Sequence, residues 1–191
     1  MFRLTIAGPD SHIASPLCAA CPHAAAGCCV APPRYAWADI ARVVQHGGRD
    51  WLLREMAAGS LVPFPEGLSL RRVKMRLTAE RGAPRVAKCV FHEGGRGCTI
   101  EATQRPATCN YYVCEDVYVE GERGGAGAEV QTARAVHDDL VRRFIGWDEA
   151  LAMHVRTQYP DGPPYDAAFF DDIAAVFASL RRDAPGATPP T

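Results

Sequence analysis

Eight cysteines in two groups of four set the tightest limit on what this chain can fold into. Cys18, Cys21, Cys28 and Cys29 lie in the stretch CAACPHAAAGCC; Cys89, Cys98, Cys109 and Cys114 follow after a gap of 59 residues. The pattern is C-x2-C-x6-C-C, then C-x8-C-x10-C-x4-C. The shortest spacings place two sulfurs on one metal with a small turn between them. None of the cysteines falls in a helical apolar stripe, where structural cysteines serve as small fillers. The backbone is expected to organise itself around these thiols.

Compartment decides how the thiols are read. The start, MFRLTIAGPDSHIASP, has no basic segment leading into a long apolar run, so no secretory signal is expected. No segment approaches the roughly 18 apolar residues that span a bilayer. These features predict a cytoplasmic protein with no membrane association, where thiols are metal ligands or redox groups rather than a disulfide framework. With 191 residues, 48% hydrophobic and 23% charged, the chain can bury a real core, and its formal net charge of −1 gives no global pull toward polyanions.

The periodicities predict an α+β fold: a small cysteine-ligated domain with a short β-hairpin and several helices, the C-terminal ones packed on it. Trp37, Ile40, Ala41 and Val44 repeat at helical spacing and stop at Gly47–Gly48. RDWLLREMAAG reads as a second helix with Asp50 as its N-cap and Gly59 as its stop. In LSLRRVKMRL, Val73, Met75 and Leu77 alternate with Arg72, Lys74 and Arg76, a strand that AERGAP turns into a second strand, RVAKCVF. DVYVEGERGGAGAEV reads as a short strand entering a Gly-rich loop. Helices are expected near 128–145 and 147–159, the second either separate or a continuation past a kink at Gly146. A last helix is capped by Asp166, with the stripe Phe169, Ile173, Val176, Phe177 and Leu180. One domain is expected over 1–182, with a cysteine-cluster part at 15–120 and a helical part at 121–182. Residues 183–191 read as a disordered tail.

All-sulfur ligation selects zinc, an iron–sulfur centre or Cu(I), and disfavours magnesium and calcium. Adjacent Cys28 and Cys29 would point apart in extended backbone, so they reach one ion only through a local bend, and more naturally two metals or two irons. The two quartets are therefore expected to meet in space. A thiolate centre is anionic and calls for surrounding cations and N–H donors; Lys88, Arg96 and Arg105 are placed to supply them. His23 and His92, inside the clusters, are alternative ligands.

The strings CAACPHAAAGCC and CVFHEGGRGCTIEATQRPATCNYYVC resemble the YkgJ-like CxxCxxCC cysteine-cluster family of zinc- or iron-chelating proteins. The matching positions are Cys18, Cys21, Cys28 and Cys29, then Cys89 with Phe91, Cys98 with Ile100, Arg105–Pro106, Cys109 and Cys114. The gap before the CC pair is longer than usual, and Glu101 stands where a Tyr is common. The resemblance covers roughly residues 15–120 and implies metal binding through the eight cysteines, with zinc or iron as cofactor. A similar segment in flagellin lysine N-methylases hints at a role in protein modification.

Three functions follow as expectations: a metal-binding scaffold or accessory protein with a protein partner; an iron–sulfur redox accessory or enzyme in modification of a partner protein; and a zinc-stabilised RNA- or protein-binding module. Between Arg71 and Lys88 there are seven basic residues and one acid, Glu80, a face that could grip RNA, although nucleic acid is the less favoured partner. GERGGAGAEV lacks nucleotide-loop spacing and reads as a linker. His137 and His154 read as packing or surface residues, and no catalytic residue is assigned.

Overall fold

The computed structural model describes residues 2–21, 23, 27–76, 82 and 85–182. In chain order the elements are β1 (Arg3–Thr5), β2 (His12–Ala14), α1 (Pro16–Ala19), a 3-10 turn at Cys28–Val30, α2 (Trp37–Gln45) and α3 (Arg49–Ala57). Then come β3 (Leu61–Phe64), β4 (Gly67–Leu70), β5 (Arg72–Arg76), β6 (Arg85–Cys89), β7 (His92–Glu93) and β8 (Gly97–Cys98). Helices α4 (Thr108–Tyr111), α5 (Glu115–Arg123), α6 (Gly127–Gln158) and α7 (Ala167–Arg182) complete the chain. The strands pair only as two-stranded sheets, β1–β2, β3–β4, β5–β6 and β7–β8, so the architecture is α+β as expected. No helix of the described residues is long and apolar enough to cross a membrane.

The chain divides into two compact units: Met1–Pro33 with Leu70–Val141, and Arg34–Ser69 with Arg142–Thr191. All eight cysteines belong to the first. Its core is small: Phe2, Ile13, Val113, Val117, Tyr118, Val130 and Ala133 are buried together, and Leu4, Leu17 and Cys114 pack against them. The hairpin β1–β2, which supplies Ile13 and follows directly on Phe2, is absent from the sequence reading, because three-residue strands are too short to show an alternation. Gly121 lets α5 approach this core: a Cβ there would stand 2.8 Å from Val130 Cγ2 and 3.1 Å from the Phe2 ring.

The second unit is built on aromatic packing. Trp37 of α2 meets Phe169 of α7 edge-on at 5.6 Å, and Tyr159 meets Phe169 at 5.0 Å. Trp147 meets Phe177 at 5.3 Å and 89°. Such pairs contribute about 0.5–1.5 kcal/mol each beyond their buried area. Arg49 of α3 pairs with Asp171 of α7 at 2.7 Å. The start of α2 is capped in two parts. Ala36 has no side-chain acceptor; Asp39 reaches back to its N–H at 3.3 Å, while Asp148 accepts from the Ala38 N–H at 2.7 Å. Burial pushes the Asp148 carboxyl up to about 7, against the Ala38 N–H and assisted by the charge of Asp39.

Several expectations are corrected. DVYVEG is helical, not a strand: Val117, Tyr118 and Gly121 fall on one helical face against the core, which the V-Y-V alternation disguised. Of the two alternatives for 128–145 and 147–159, continuation holds: they form one helix that runs through Gly146. Asp50 lies in the first turn of α3, and Gly48 is the N-cap. Asp166 does cap α7, accepting from the Phe169 N–H at 2.9 Å. Leu77, the AERGAP turn apart from Gly82, and the 183–191 tail lie outside the described residues.

Candidate metal centre

All eight cysteines are free thiols. Cys18 rides on α1, whose start is fixed by Ser15: its Oγ accepts from the Leu17 N–H at 3.2 Å, and Pro16 occupies the first turn. Although Cys18 is exposed as a residue, partial desolvation of its sulfur pushes the thiol up to about 11; the charges of Cys28, Cys114 and Cys21 add to this, and Arg105 opposes it. A thiol of the first quartet therefore lies in the field of the last thiol of the second.

The Cys28–Val30 turn supplies the bend that adjacent cysteines need. Cys28 and Cys29 are hydrogen-bonded to each other, and that bond sets their titration. The Cys29 S–H donates to the Cys28 sulfur, drawing Cys28 down to about 6; backbone N–H groups and Lys88 help against desolvation. Cys29 is pushed up by the same bond, by burial, and by the charges of Cys28, Cys89 and Cys98. The pair holds a thiolate at Cys28 and a thiol at Cys29.

The turn packs on β6, whose last residue is Cys89. Burial pushes Cys89 up to about 11, with Cys98 and Cys28 adding and the Phe91 N–H opposing. Cys98 lies on β8, in register with His92. Cys109 is on α4, where its N–H donates to the Pro106 carbonyl at 2.8 Å, so the Arg-Pro box is the start of that short helix. Cys114 is the N-cap residue of α5.

The expected cations separate. Lys88 is 4% exposed, and no carboxylate among the described residues pairs with it. Its ammonium acts on Cys28, whose thiolate it stabilises. A buried ammonium is costly without an anion, and the thiols are where that anion resides. Arg105 is held by a 2.6 Å hydrogen bond from its Nε to the Ile100 carbonyl, and its charge acts on Cys18. Arg96 is turned outward: its guanidinium is 72% exposed and sits 3.5 Å from Glu93.

His23 is drawn to Asp116, with Nε2 to Oδ2 at 2.5 Å on the surface. His92 differs. Its Nδ1 is buried without a hydrogen-bond partner among the described residues, and burial, then Lys88, hold its pKa below the usual value. A neutral imidazole nitrogen of this kind could serve as a ligand.

Two residues that sequence reasoning passed over shape the site. Gly27 precedes the CC pair, and a Cβ there would meet the His23 carbonyl at 2.9 Å and Cys21 Sγ at 3.0 Å. Only glycine lets the backbone lie this close to the Cys21 sulfur. Asn110, beside Cys109, is 2% exposed; its Nδ2 donates to the Ala102 carbonyl at 2.7 Å, and its Oδ1 has no partner among the described residues. Its place directly after Cys109 was the available signal.

The donor set is soft and carries a thiolate at Cys28, bordered by a buried cation and by two polar atoms that are unsatisfied among the described residues, which suits a thiolate-bound metal. The thiols are gathered rather than closed: among the described residues, no three His, Cys, Asp or Glu side chains are grouped to hold a metal ion. Compared with known proteins, the chain matches no family model, no curated protein and no solved structure.

Proposed function

We propose that this is a metal-binding protein that holds zinc or an iron–sulfur centre through Cys18, Cys21, Cys28, Cys29, Cys89, Cys98, Cys109 and Cys114. In this reading it works in the cytoplasm as a scaffold or accessory to a protein partner. The carrying observation is the mutual field of the two quartets: Cys18 responds to Cys114, and Cys29 responds to Cys89 and Cys98. Cys18 and Cys114 are 96 positions apart in the chain, and Cys29 and Cys89 are 60 apart, so the fold brings distant thiols into one field. Membership of the YkgJ-like cysteine-cluster family, argued from the ordered cysteines and the Arg105–Pro106 box, is part of the same proposal. Lys88 and Arg105 balance thiolate charge, while Gly27 admits the backbone beside Cys21. Bound zinc would add structural cross-linking; bound iron and sulfide would add one-electron capacity.

The exposure of Cys18 and Cys28 favours a second reading, a redox accessory to a modifying enzyme, because an electron-carrying centre needs an open edge toward its partner. Protein purified without oxygen separates the two. A colourless protein with stoichiometric zinc supports the scaffold; a brown protein with iron, sulfide and a broad visible band supports the redox role. Absence of zinc and iron in protein prepared from metal-replete cells overturns both.

A further inference from the structure

In the antiparallel register of β5 and β6, Arg72 stands opposite Cys89, Lys74 opposite Ala87 and Arg76 opposite Arg85. Facing residues of a ladder share one face, as do alternate residues of a strand. Arg72, Lys74, Arg76, Arg85 and Cys89 therefore occupy one face of the ribbon. The four cations are exposed, and among the described residues none of them is paired with a carboxylate. Arg72 donates to the Val30 carbonyl at 3.2 Å.

Like charges directly opposite each other weaken a ladder. Arg76 and Arg85 are such a pair, and the thiolates do not compensate them. Cys89 lies four residues along the strand from Arg85, about 13 Å at roughly 3.3 Å per residue, whereas salt screens exposed charges beyond about 8–10 Å. The Cys28–Val30 turn packs on β6, while Arg76 and Arg85 are exposed.

We propose that this face binds nucleic acid through its phosphates. Cations recur about every 6.6 Å along β5, and the facing strand adds Arg85 about 5 Å across. Such a two-stranded ribbon is narrow enough to enter a duplex groove. Three of the four cations are arginines, whose planar fork matches phosphate oxygens. Because the whole chain carries a formal charge of −1, the attraction is local, so binding is salt-sensitive. The proposal does not depend on which metal the thiols hold.

The test is fluorescence anisotropy on the full chain with a labelled duplex DNA and a labelled single-stranded RNA, each of about 20 nucleotides per strand, across a salt series. Four phosphate contacts predict a log–log salt slope near −3.6 on the duplex or about −2.8 on the single strand. R76E/R85E should weaken binding at least about tenfold and flatten the slope by about 1.8 on the duplex or about 1.4 on the single strand, while R76K/R85K keeps both. Near-UV circular dichroism and metal content, unchanged in R76E/R85E, establish that its fold and centre are intact. The proposal is overturned if neither probe binds the wild-type chain at about 25 mM salt. Wild-type-like binding by R76E/R85E also overturns it. So does displacement of the probe by polyglutamate as effective as by unlabelled oligonucleotide, which would assign the face to an acidic protein.

Discussion

At the scale of single residues, the chemistry of the first unit is a matter of where protons reside. Cys28 is held as a thiolate near neutrality because its neighbour donates to it, and Lys88, with no carboxylate to face among the described residues, adds its field. Removing a ligand thiolate from a metal site both lowers affinity and unfolds what the metal had organised. Cys28→Ser and Cys109→Ser should each lose most of the bound metal and lower the melting temperature, as read by elemental analysis and thermal unfolding. Arg105→Ala should be milder, weakening metal affinity by about 10- to 100-fold, because it acts through its neighbours' charge rather than by ligation. A competition titration against a chromophoric chelator reads the difference; loss as complete as in the cysteine variants would make Arg105 part of the ligand framework.

At the scale of elements, glycines decide two geometries. Gly27→Ala puts a methyl within 3.0 Å of Cys21 Sγ and 2.9 Å of the His23 carbonyl, so the turn carrying Cys28 must move away from Cys21. Metal affinity should fall while the helical circular dichroism of the second unit stays unchanged. Gly146 is the reverse case. It is helical with open space around its Cα, so Gly146→Ala should stabilise the protein by up to about 1 kcal/mol in urea unfolding. A destabilised variant would mean that the helix bends there.

The same elements show what a sequence discloses. Helices α2, α3 and α7 were legible because their stripes of Trp37, Ile40, Leu52, Phe169 and Ile173 are buried against partners that demand the 3.6 period. The hairpin β5–β6 was legible from alternation. Helix α5 was not, since Val117, Tyr118 and Val119 alternate as a strand would and only the tertiary partner Phe2 selects a helix. The thiol set could be read as a pattern. Its layout could not: the mutual bond of Cys28 and Cys29 depends on a 3-10 turn that no periodicity announces, and the outward turn of Arg96 depends on Glu93.

At the scale of the whole molecule, the two units rely on different forces. The first has a small core and eight thiols; the second has an aromatic core in which Tyr35, Leu52, Leu151, Phe169, Phe170, Ile173 and Phe177 are almost wholly buried. Chelation should therefore release amide protection across Met1–Pro33 and Leu70–Val141 and leave α2 and α7 protected, as hydrogen exchange with mass spectrometry would read. Uniform release would show that both units depend on metal.

A pH effect belongs to this scale too. Asp148 titrates near 7 when folded, against 3.8 in its ordinary state, so the native protein binds the extra proton between those values. Stability then falls as pH rises from about 4 to 7, by about 2 kcal/mol after allowing for partial exposure. Asp148→Asn keeps an acceptor for the Ala38 N–H and should remove that slope in thermal unfolding compared across the pH range. A parallel slope in the variant would assign it to other groups.

The interleaving of the units has a kinetic side. During synthesis the cysteine-bearing unit has all its chain once Val141 has been added. By then α2 and α3 are out, but α7, the partner of their apolar faces, is still to be made. Translation of the remaining 50 residues takes about 3–10 s at ordinary rates. For that interval a nascent chain carries a finished half and a naked one, and a ribosome-bound chaperone would find Trp37, Ile40 and Val43 before Phe169 does.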